Sequence, residues 1–147
     1  MYNYSAFIYA KDAVNIALTG QGTLDGQAGD GTPWCWMSRD YMTDYQDDDR
    51  TALINMNNNR VPVEERIFGQ GHFLRPNFIQ VIGCENVLVE GITLVRSPMW
   101  EVNPVLCTNV TVRGIHISTK AANNDGIDPE SSNVKPRGPG NHPAGGI

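Results

Sequence analysis

The chain groups carboxylate and amide side chains within six residues, a composition that suits acid–base chemistry. Asn123, Asn124, Asp125 and Asp128 surround Gly126 in the stretch NNDGID, directly after a run of alternating apolar residues. A carboxylate at the end of a strand can activate water for hydrolysis, provided that a second carboxyl group supplies a proton. The same residue types also build ordinary turns, in which Asn and Asp side chains bond nearby backbone. Spacing alone leaves both interpretations open.

A repeated motif indicates the elements that must position this cluster. The stretches NIALTGQGTL, NVLVEGITLV and NVTVRGIHIS begin at Asn15, Asn86 and Asn109, and a shorter copy begins at Asn133. The three intervals of this series are 71, 23 and 24 residues, the first being close to three of the shorter periods, and a period in the twenties is typical of a solenoid. The alternating Val, Ile, Leu and Thr residues favour strands over helices. We therefore predict an all-β parallel β-helix, with each Asn at a turn.

The strands of such a solenoid place alternate side chains in the interior, where successive coils stack. The residues expected to point inward are Val87, Val89, Ile92, Leu94, Val110, Val112, Ile115 and Ile117. Residues 27–76 lack this alternation, so we predict one coil that carries a long loop with a short helix near 49–56. Three prolines and four glycines in residues 135–147 argue against a strand there. We predict a partial β-helix over 1–134, followed by an irregular tail.

Charge, cysteine spacing and segment length exclude several kinds of partner and site. The 147 residues carry a formal charge of −5, which argues against a nucleic-acid or anionic-membrane partner. Cys35, Cys84 and Cys107 show no zinc-ligand spacing and no disulfide framework. The acidic run over 44–49 lacks the ligand pattern of a calcium loop, so we predict neither a metal nor a cofactor. The N-terminus shows no signal-peptide pattern, which leaves the location of the chain open, and no segment is long enough to span a membrane.

Three motifs in order make the chain resemble a known family. The stretches TGQGTLDGQ, LRPNFIQVIGCENVLVEGITLVRSPMWEVNPVLCTNVTVRGIHIS and NNDGIDPESS are similar to those of glycoside hydrolase family 28, over roughly residues 3–134. These enzymes are polygalacturonases and related pectin hydrolases. The resemblance implies a right-handed parallel β-helix and inverting hydrolysis of pectic galacturonan. It also implies a pectic polysaccharide or oligogalacturonide as partner, and a secreted or periplasmic location for an intact member.

The resemblance also implies roles for particular residues. The family's Asn-Thr-Asp-Gly box matches residues 123–126, with Asn124 in place of Thr, so Asp125 is expected to activate the attacking water. Asn123 is expected to bind the sugar or orient that carboxylate. Two further substrate-binding candidates are Trp100, as a wall of the sugar cleft or a core aromatic, and Asn103, where many relatives have His. Asp128 has two open roles, a turn cap or a brace for the neighbouring coil.

One half of the family's site is missing from this sequence. The Asp-Asp pair with the general acid, the Gly-His-Gly box and the Arg-Ile-Lys box do not occur after Asn133. We therefore expect a truncated member that is weak or inactive as a hydrolase. The alternatives are a non-catalytic carbohydrate-binding or structural β-helix module, and a pectate lyase-like enzyme that uses calcium. Exposed coil ends also predict self-association, because they present unpaired strand edges.

Overall fold

A computed structural model describes residues 1–29, 46–119 and 123–137 of the chain. Cys35 and part of the acidic run lie outside these residues. The elements, in chain order, are β1 (Ile8–Lys11), β2 (Val14–Thr19), β3 (Thr23–Asp25), α1 (Asp47–Asn58), a 3₁₀ turn (Val63–Glu65), β4 (Ile79–Ile82), β5 (Glu85–Glu90), β6 (Thr93–Val95), β7 (Val102–Val105), β8 (Thr108–Arg113), β9 (His116–Ser118) and β10 (Val134–Arg137). No helix in this part of the chain is long and apolar enough to cross a membrane.

The described strands form three parallel sheets. Each of the first three coils contributes one strand to each sheet, and β10 adds a fourth strand to the middle sheet. The orders are β1-β4-β7, β2-β5-β8-β10 and β3-β6-β9. In the middle sheet Ile16 is in register with Val87, and Val87 with Val110, so the inward side chains of successive coils stack. The predicted parallel β-helix is confirmed.

The interior contains the side chains that the alternation predicted. Those of β5, β6 and β8 are buried, and Ile115 and Ile117 are partly buried and pack against the same cluster. Each coil thereby buries on its neighbours an apolar face that it could not bury alone.

The long interval before the second coil is a single excursion of the chain. Coil 1 (β1 to β3) pairs directly with coil 2 (β4 to β6), although the paired residues are about 71 positions apart. The predicted helix in this excursion is present as α1, whose first turn carries three acidic residues that suit the positive end of the helix dipole. After the 3₁₀ turn the chain returns beside the N-terminus, where Tyr2 N–H donates to the Arg66 carbonyl and Phe68 N–H to the Tyr2 carbonyl.

The repeated asparagines form a ladder along one edge of the coils. Asn15, Asn86 and Asn109 all adopt a left-handed backbone conformation with φ between 55° and 58°. The Asn86 Nδ2 donates to Asn15 Oδ1 at 2.9 Å, and the Asn109 Nδ2 donates to Asn86 Oδ1 at 2.7 Å. Asn is the non-glycine residue that best tolerates this conformation. We call these three residues the asparagine ladder.

The predicted irregular tail is wrong for its first three residues. Strand β10 runs from Val134 to Arg137 and pairs in parallel with β8. Proline is compatible with a strand at the edge of a sheet, because its missing N–H then costs no ladder hydrogen bond. Among the described strands, β10 is such an edge, with β8 as its one neighbour. Residues 138–147 lie outside the described part of the chain.

Candidate active site

The NNDG segment lies where the chain passes from the third sheet of one coil to the first sheet of the next. On coil 2 this passage is formed by residues 96–101, and on coil 3 its described part is 119 and 123–126. We call residues 25–27, 96–101 and 123–128 the front corner. Its layers are tied together, because Glu101 N–H donates to the Asp125 carbonyl at 3.1 Å and Asn124 Nδ2 donates to the Ser97 carbonyl at 2.8 Å.

Asp125 and Asn123 are both exposed on this corner, as a catalytic carboxylate and a sugar ligand would have to be. Asn123 adopts a left-handed conformation with φ of 56°, which turns the chain just before the aspartate. Beyond it, Val102 and Ile127 form a parallel bridge, so residues 127–130 begin the fourth layer of the first sheet. Asp125 therefore sits on a fixed turn between two layers of strand pairing.

Asp128 is half-buried one turn further along, and its N–H donates to the Val102 carbonyl at 2.9 Å. Burial raises the pKa of the Asp128 carboxyl above its usual range, and the charges of Asp125 and Glu130 raise it further. Three carboxylates thus lie close together on one segment. Such a group can hold a proton or orient a water molecule.

Asn103 is fully buried, and each of its polar atoms already has two partners. Its Oδ1 accepts from Asn77 Nδ2 and Gln80 Nε2, both at 2.8 Å. Its Nδ2 donates to the Asp128 carbonyl at 2.8 Å and to Glu130 Oε1 at 3.2 Å. With this set complete, Asn103 has no free polar atom for a sugar and instead holds the backbone of Asp128.

Trp100 lies on the front corner next to β7 and is partly buried. Its carbonyl accepts from Phe78 N–H at 2.9 Å, which ties the corner to the start of β4. The ring is thus neither a fully buried core residue nor fully open to solvent. Both interpretations of Trp100 stay open, because a partly exposed indole can serve as either packing or a cleft wall.

Glu101 is a functional candidate that the sequence analysis missed. Its side chain is 0% exposed, and neither carboxyl oxygen has a hydrogen-bond partner. Burial raises the pKa of Glu101 to about 7, and the nearby charge of Asp125 also raises it. One signal was present in the sequence: Glu101 and Asn103 are two residues apart beside a strand, so alternation places both on the same face. That face is opposite Val102, which packs in the core cluster, so both polar side chains are buried outside the apolar core.

The insertion is anchored to the front corner by a buried arginine. Arg75 Nη1 donates to the Pro98 carbonyl at 2.9 Å, and its Nε donates to Gln46 Oε1 at 3.0 Å, directly before α1. In the first turn of the helix, Asp49 Oδ1 lies 2.6 Å from His72 Nδ1. The helix is thereby held against the corner.

An open cleft of about 440 Å³ lies beside the front corner. Its lining includes Phe7, Asp25, Gln27, Asn77 and Pro98, but not Asp125. The cleft therefore adjoins the carboxylate segment without containing it. Among the described residues, no group of three His, Cys, Asp or Glu side chains is arranged to hold a metal ion.

Comparisons with known proteins agree with this architecture. The chain is similar to the hyperthermoactive exopolygalacturonase from Thermotoga maritima, with a TM-score of 0.83 and 43% identity over 92% of this chain and 34% of that one. It is also similar to the polygalacturonase from Erwinia carotovora ssp. carotovora, with a TM-score of 0.62 and 25% identity over 92% of this chain and 31% of that one.

A sequence relative and a family model give the same result. A probable polygalacturonase from Vitis vinifera is 34% identical over 65 residues, which is 43% of this chain and 13% of that protein. The chain thus spans about a third or less of the length of these relatives. The model of glycosyl hydrolases family 28 matches residues 2–135, nearly all of the described chain. The chain belongs to glycosyl hydrolases family 28.

Proposed function

We propose that the front corner provides the water-activating carboxylate, Asp125, of an inverting polygalacturonase-type hydrolase that acts on pectic galacturonan. The observation that carries this proposal is the placement of Asp125: an exposed carboxylate on a turn whose backbone is fixed to the coil below. An inverting glycosidase needs such a base, with an acid about 6.5–9.5 Å away across the scissile bond. The family match and the polygalacturonase relatives support the reaction and the substrate class.

The neighbouring residues fit supporting roles in this proposal. Asn123 is exposed beside Asp125 and has an amide available to sugar hydroxyls. Trp100 presents part of its ring, which suits the CH face of a sugar. Asn103 acts indirectly, since it bonds the carbonyl of Asp128 and so helps to hold the segment that follows Asp125.

The general acid is the part of the reaction that these 147 residues do not supply. The only adjacent aspartates, over 47–49, lie at the start of α1, where Asp49 is bound to His72 and to the Phe73 N–H. Without a proton donor the leaving oxygen must depart as an alkoxide, a large energetic penalty at neutral pH. We therefore propose that this chain by itself has little or no turnover.

The first test is an assay of the 147-residue chain on polygalacturonate. Release of reducing ends should not exceed that of the Asp125→Asn variant, and both should equal buffer. Release by the parent chain that Asp125→Asn abolishes would show that the acid is present after all, and would overturn the proposed division of the site.

The second test supplies the missing half. Residues 1–134 replace the matching third of the Thermotoga maritima exopolygalacturonase, which the high structural similarity makes feasible. In this chimera Asp125→Asn should lower kcat by about 10²–10⁴-fold with little change in KM. The matched control is Asp12→Asn, an exposed aspartate on coil 1. An active chimera that tolerates Asp125→Asn would contradict the proposed role of Asp125.

A non-catalytic binding module is the second candidate function, and the cleft beside the front corner favours it. A chain that binds oligogalacturonides saturably, without releasing product, would fit this candidate. Calorimetric titration of the parent chain and of Asn77→Ala, which alters the cleft lining, would detect it. Light scattering on the same samples would test the proposed self-association through coil ends.

A further inference from the structure

The cleft beside the front corner is lined by residues 5–7, 25–27 and 76–78 and by Pro98. Its volume of about 440 Å³ falls within the range of about 300–1,000 Å³ that is typical of small-ligand sites. Such sites are mostly apolar and carry a few polar groups that orient the ligand. Here aromatic rings and prolines line the cleft together with two side-chain amides and one carboxyl group. These side chains indicate which ligand the cleft fits.

Phe7 provides a supported aromatic surface at this cleft. Its ring stacks on that of Phe78, with 5.3 Å between the ring centroids and an angle of 16° between the ring planes. Phe78 is fully buried, whereas Phe7 is 60% exposed, so one face of the Phe7 ring is covered and the other is open to solvent. An exposed phenylalanine is ordinary by itself. This one also lines a cleft, where an open aromatic face suits the CH groups of a sugar ring.

The hydrogen bonds of Asn103 fix the orientation of the Asn77 amide. Asn103 Nδ2 donates to the Asp128 carbonyl, and a carbonyl can only accept, so Asn103 Oδ1 is the atom that faces Asn77. That oxygen accepts from Asn77 Nδ2 at 2.8 Å. Turning the Asn77 amide over would set two oxygens against each other, so its nitrogen stays engaged and its Oδ1 has no partner among the described residues. The cleft lining thus contains an acceptor that fits a sugar hydroxyl group.

Gln27 adds a second amide to the lining, from coil 1. Its backbone is held in place, because its N–H donates to Asp25 Oδ1 at 2.9 Å from a left-handed conformation with φ of 54°. The Gln27 side chain is exposed and forms no hydrogen bond within the described part of the chain, so its amide can both donate and accept. Two amides and an aromatic face are groups that bind a pyranose ring through its hydroxyl and CH groups.

The charges at the cleft disfavour an anionic sugar. Asp25 is the one ionisable side chain among the described residues that line the cleft, and the Arg96 hydrogen bonds lower its pKa, so it is ionised at neutral pH. Arg96 is engaged with Asp25 at two points, and Arg75 donates to the Pro98 carbonyl and to Gln46. No described Lys, Arg or His side chain lines the cleft. A free uronate would therefore place its carboxylate near Asp25 without a cation of its own.

We propose that this cleft is a subsite for an uncharged pyranose ring, such as a methyl-esterified uronate or a neutral hexose, and that it disfavours a free uronate. The ring stacks on Phe7 through its CH groups, and its hydroxyl groups bond Asn77 Oδ1 and the Gln27 amide. Asp125 lies one layer further along the same corner, so the subsite adjoins the proposed reaction centre. That the ring belongs to a pectic chain rests on the proposed function, whereas the preference for an uncharged ring rests on the cleft alone.

Calorimetric titration of the 147-residue chain with three oligosaccharides of equal length tests this preference. They are a methyl-esterified oligogalacturonide, the same oligosaccharide after de-esterification, and a neutral galacto-oligosaccharide. At low salt the tighter of the two uncharged ligands should bind at least about tenfold more tightly than the de-esterified one, and this ratio should shrink as salt screens the charges. Whichever uncharged ligand binds more tightly identifies the source of the ring. Equal or tighter binding of the de-esterified ligand, or no binding of any ligand, would overturn the proposal.

Two pairs of variants test whether the ligand occupies the cleft. Phe7→Ala should lower the affinity for the uncharged ligand about tenfold, whereas Tyr9→Ala, which removes an exposed ring of β1 outside the cleft, should not change it. Gln27→Lys adds a cation to the cleft and should raise the affinity for the de-esterified ligand about tenfold. Gln21→Lys makes the same charge change at an exposed position between β2 and β3 and should have no such effect. Equal effects within either pair would overturn the proposal.

The same measurements separate the subsite from the proposed catalytic role of Asp125. A preference for an uncharged ligand, together with an active chimera that tolerates Asp125→Asn, would support the subsite and remove only that catalytic role. Tighter binding of the de-esterified ligand, together with a chimera that depends on Asp125, would overturn the subsite and leave the proposed function in place.

Discussion

The asparagine ladder lies at the start of β2, β5 and β8, whereas the front corner lies between the third sheet of one coil and the first sheet of the next. The two regions differ in how their polar side chains are paired. In the ladder the same residue recurs with the same backbone conformation, and each amide pairs with the next. At the front corner every layer has a different sequence, and buried oxygens of Glu101 and Asn124 have no partner. Where the sequence repeats, each asparagine amide forms a hydrogen bond with the asparagine of the next coil. Where it does not repeat, a buried carboxyl group can lack such a partner and have a shifted pKa. Groups with shifted pKa values are typical of catalytic sites.

The largest effect that would test this contrast is the pH dependence of stability at Glu101. The pKa of Glu101 is raised to about 7 by burial, above its value of 4.5 in the unfolded chain. From pH 4.5 to 7 the unfolded chain therefore loses a proton that the folded chain keeps, so the free energy of unfolding falls with rising pH. The fall amounts to about 3 kcal/mol at most. Glu101→Gln lacks this proton, so its stability relative to the parent should rise by that amount between pH 4 and pH 8.

Urea denaturation of the two proteins at a series of pH values would measure this difference. Glu64→Gln, at an exposed position in the 3₁₀ turn, controls for the loss of one negative charge. A constant difference between parent and Glu101→Gln over the whole range would mean that the corner holds no perturbed proton.

A second test concerns the close approach of coils at a repeating turn. Gly91 and Gly114 occupy equivalent turns and both have a left-handed backbone, with φ of 77° and 59°. A Cβ at Gly91 would overlap the carbonyl oxygen of Gly20, whereas at Gly114 the nearest atom is Gly91 N, 3.9 Å away. Both alanine variants bear the backbone cost. Gly91→Ala should lose about 2 kcal/mol more in thermal or urea denaturation, because it also forces the coils apart. Equal losses would show that the coils can shift.

The ladder itself gives a smaller expected effect. Asn86 donates to Asn15 and accepts from Asn109, so Asn86→Gly removes two exposed hydrogen bonds while the glycine tolerates the φ of 56°. We expect a loss of about 1 kcal/mol in the free energy of unfolding. Asn109→Gly removes one ladder bond between described residues and should cost about half as much. A larger loss at Asn109 than at Asn86 would contradict the idea that the ladder bonds add up along the stack.

The fold could be predicted from the sequence because each repeat is a short contiguous pattern of residues. The alternation of β5, β6 and β8 identified the core. The recurring Asn was predicted at turns, and instead occupies a left-handed position at the second residue of β2, β5 and β8. Strand β10 was missed because its Lys-Pro-Arg sequence disfavours a strand locally, and pairing with β8 overrides that preference. A short stretch of sequence does not show which distant strand it pairs with.

The candidate site was predictable only in part, for the same physical reason. Asp125 and Asn123 could be predicted as site residues because they belong to a short contiguous box; the structure exposes both, and their roles stay predictions. Glu101 was missed because its pKa is raised mainly by burial and further by the charge of Asp125, which lies more than twenty positions later in the chain and one coil above. Asn103 was assigned to substrate, whereas its partners come from two other segments, 77–80 and 128–130, and use both polar atoms of its side chain. Whether a polar residue can contact substrate depends on its burial by neighbouring coils. No single stretch of sequence encodes that burial.

The smallest expected effect comes from removing exposed ion pairs, one at the front corner and one between repeating strands. Arg96 forms a two-point ion pair with Asp25 at the front corner, and Arg113 forms one with Glu90 between repeating strands. The Arg96 hydrogen bonds lower the pKa of Asp25, so the stability from this pair is present above the ordinary Asp pKa and is lost as pH falls through the folded value. Both pairs lie in solvent, where such pairs contribute little. Arg96→Gln and Arg113→Gln should therefore lower the urea midpoint at pH 7 by small and similar amounts, and the Arg96 effect should fade as pH falls through the lowered pKa of Asp25. A much larger effect at Arg96 would show that the front corner differs from the repeats through its exposed charges, and not through the proton held beneath Asp125.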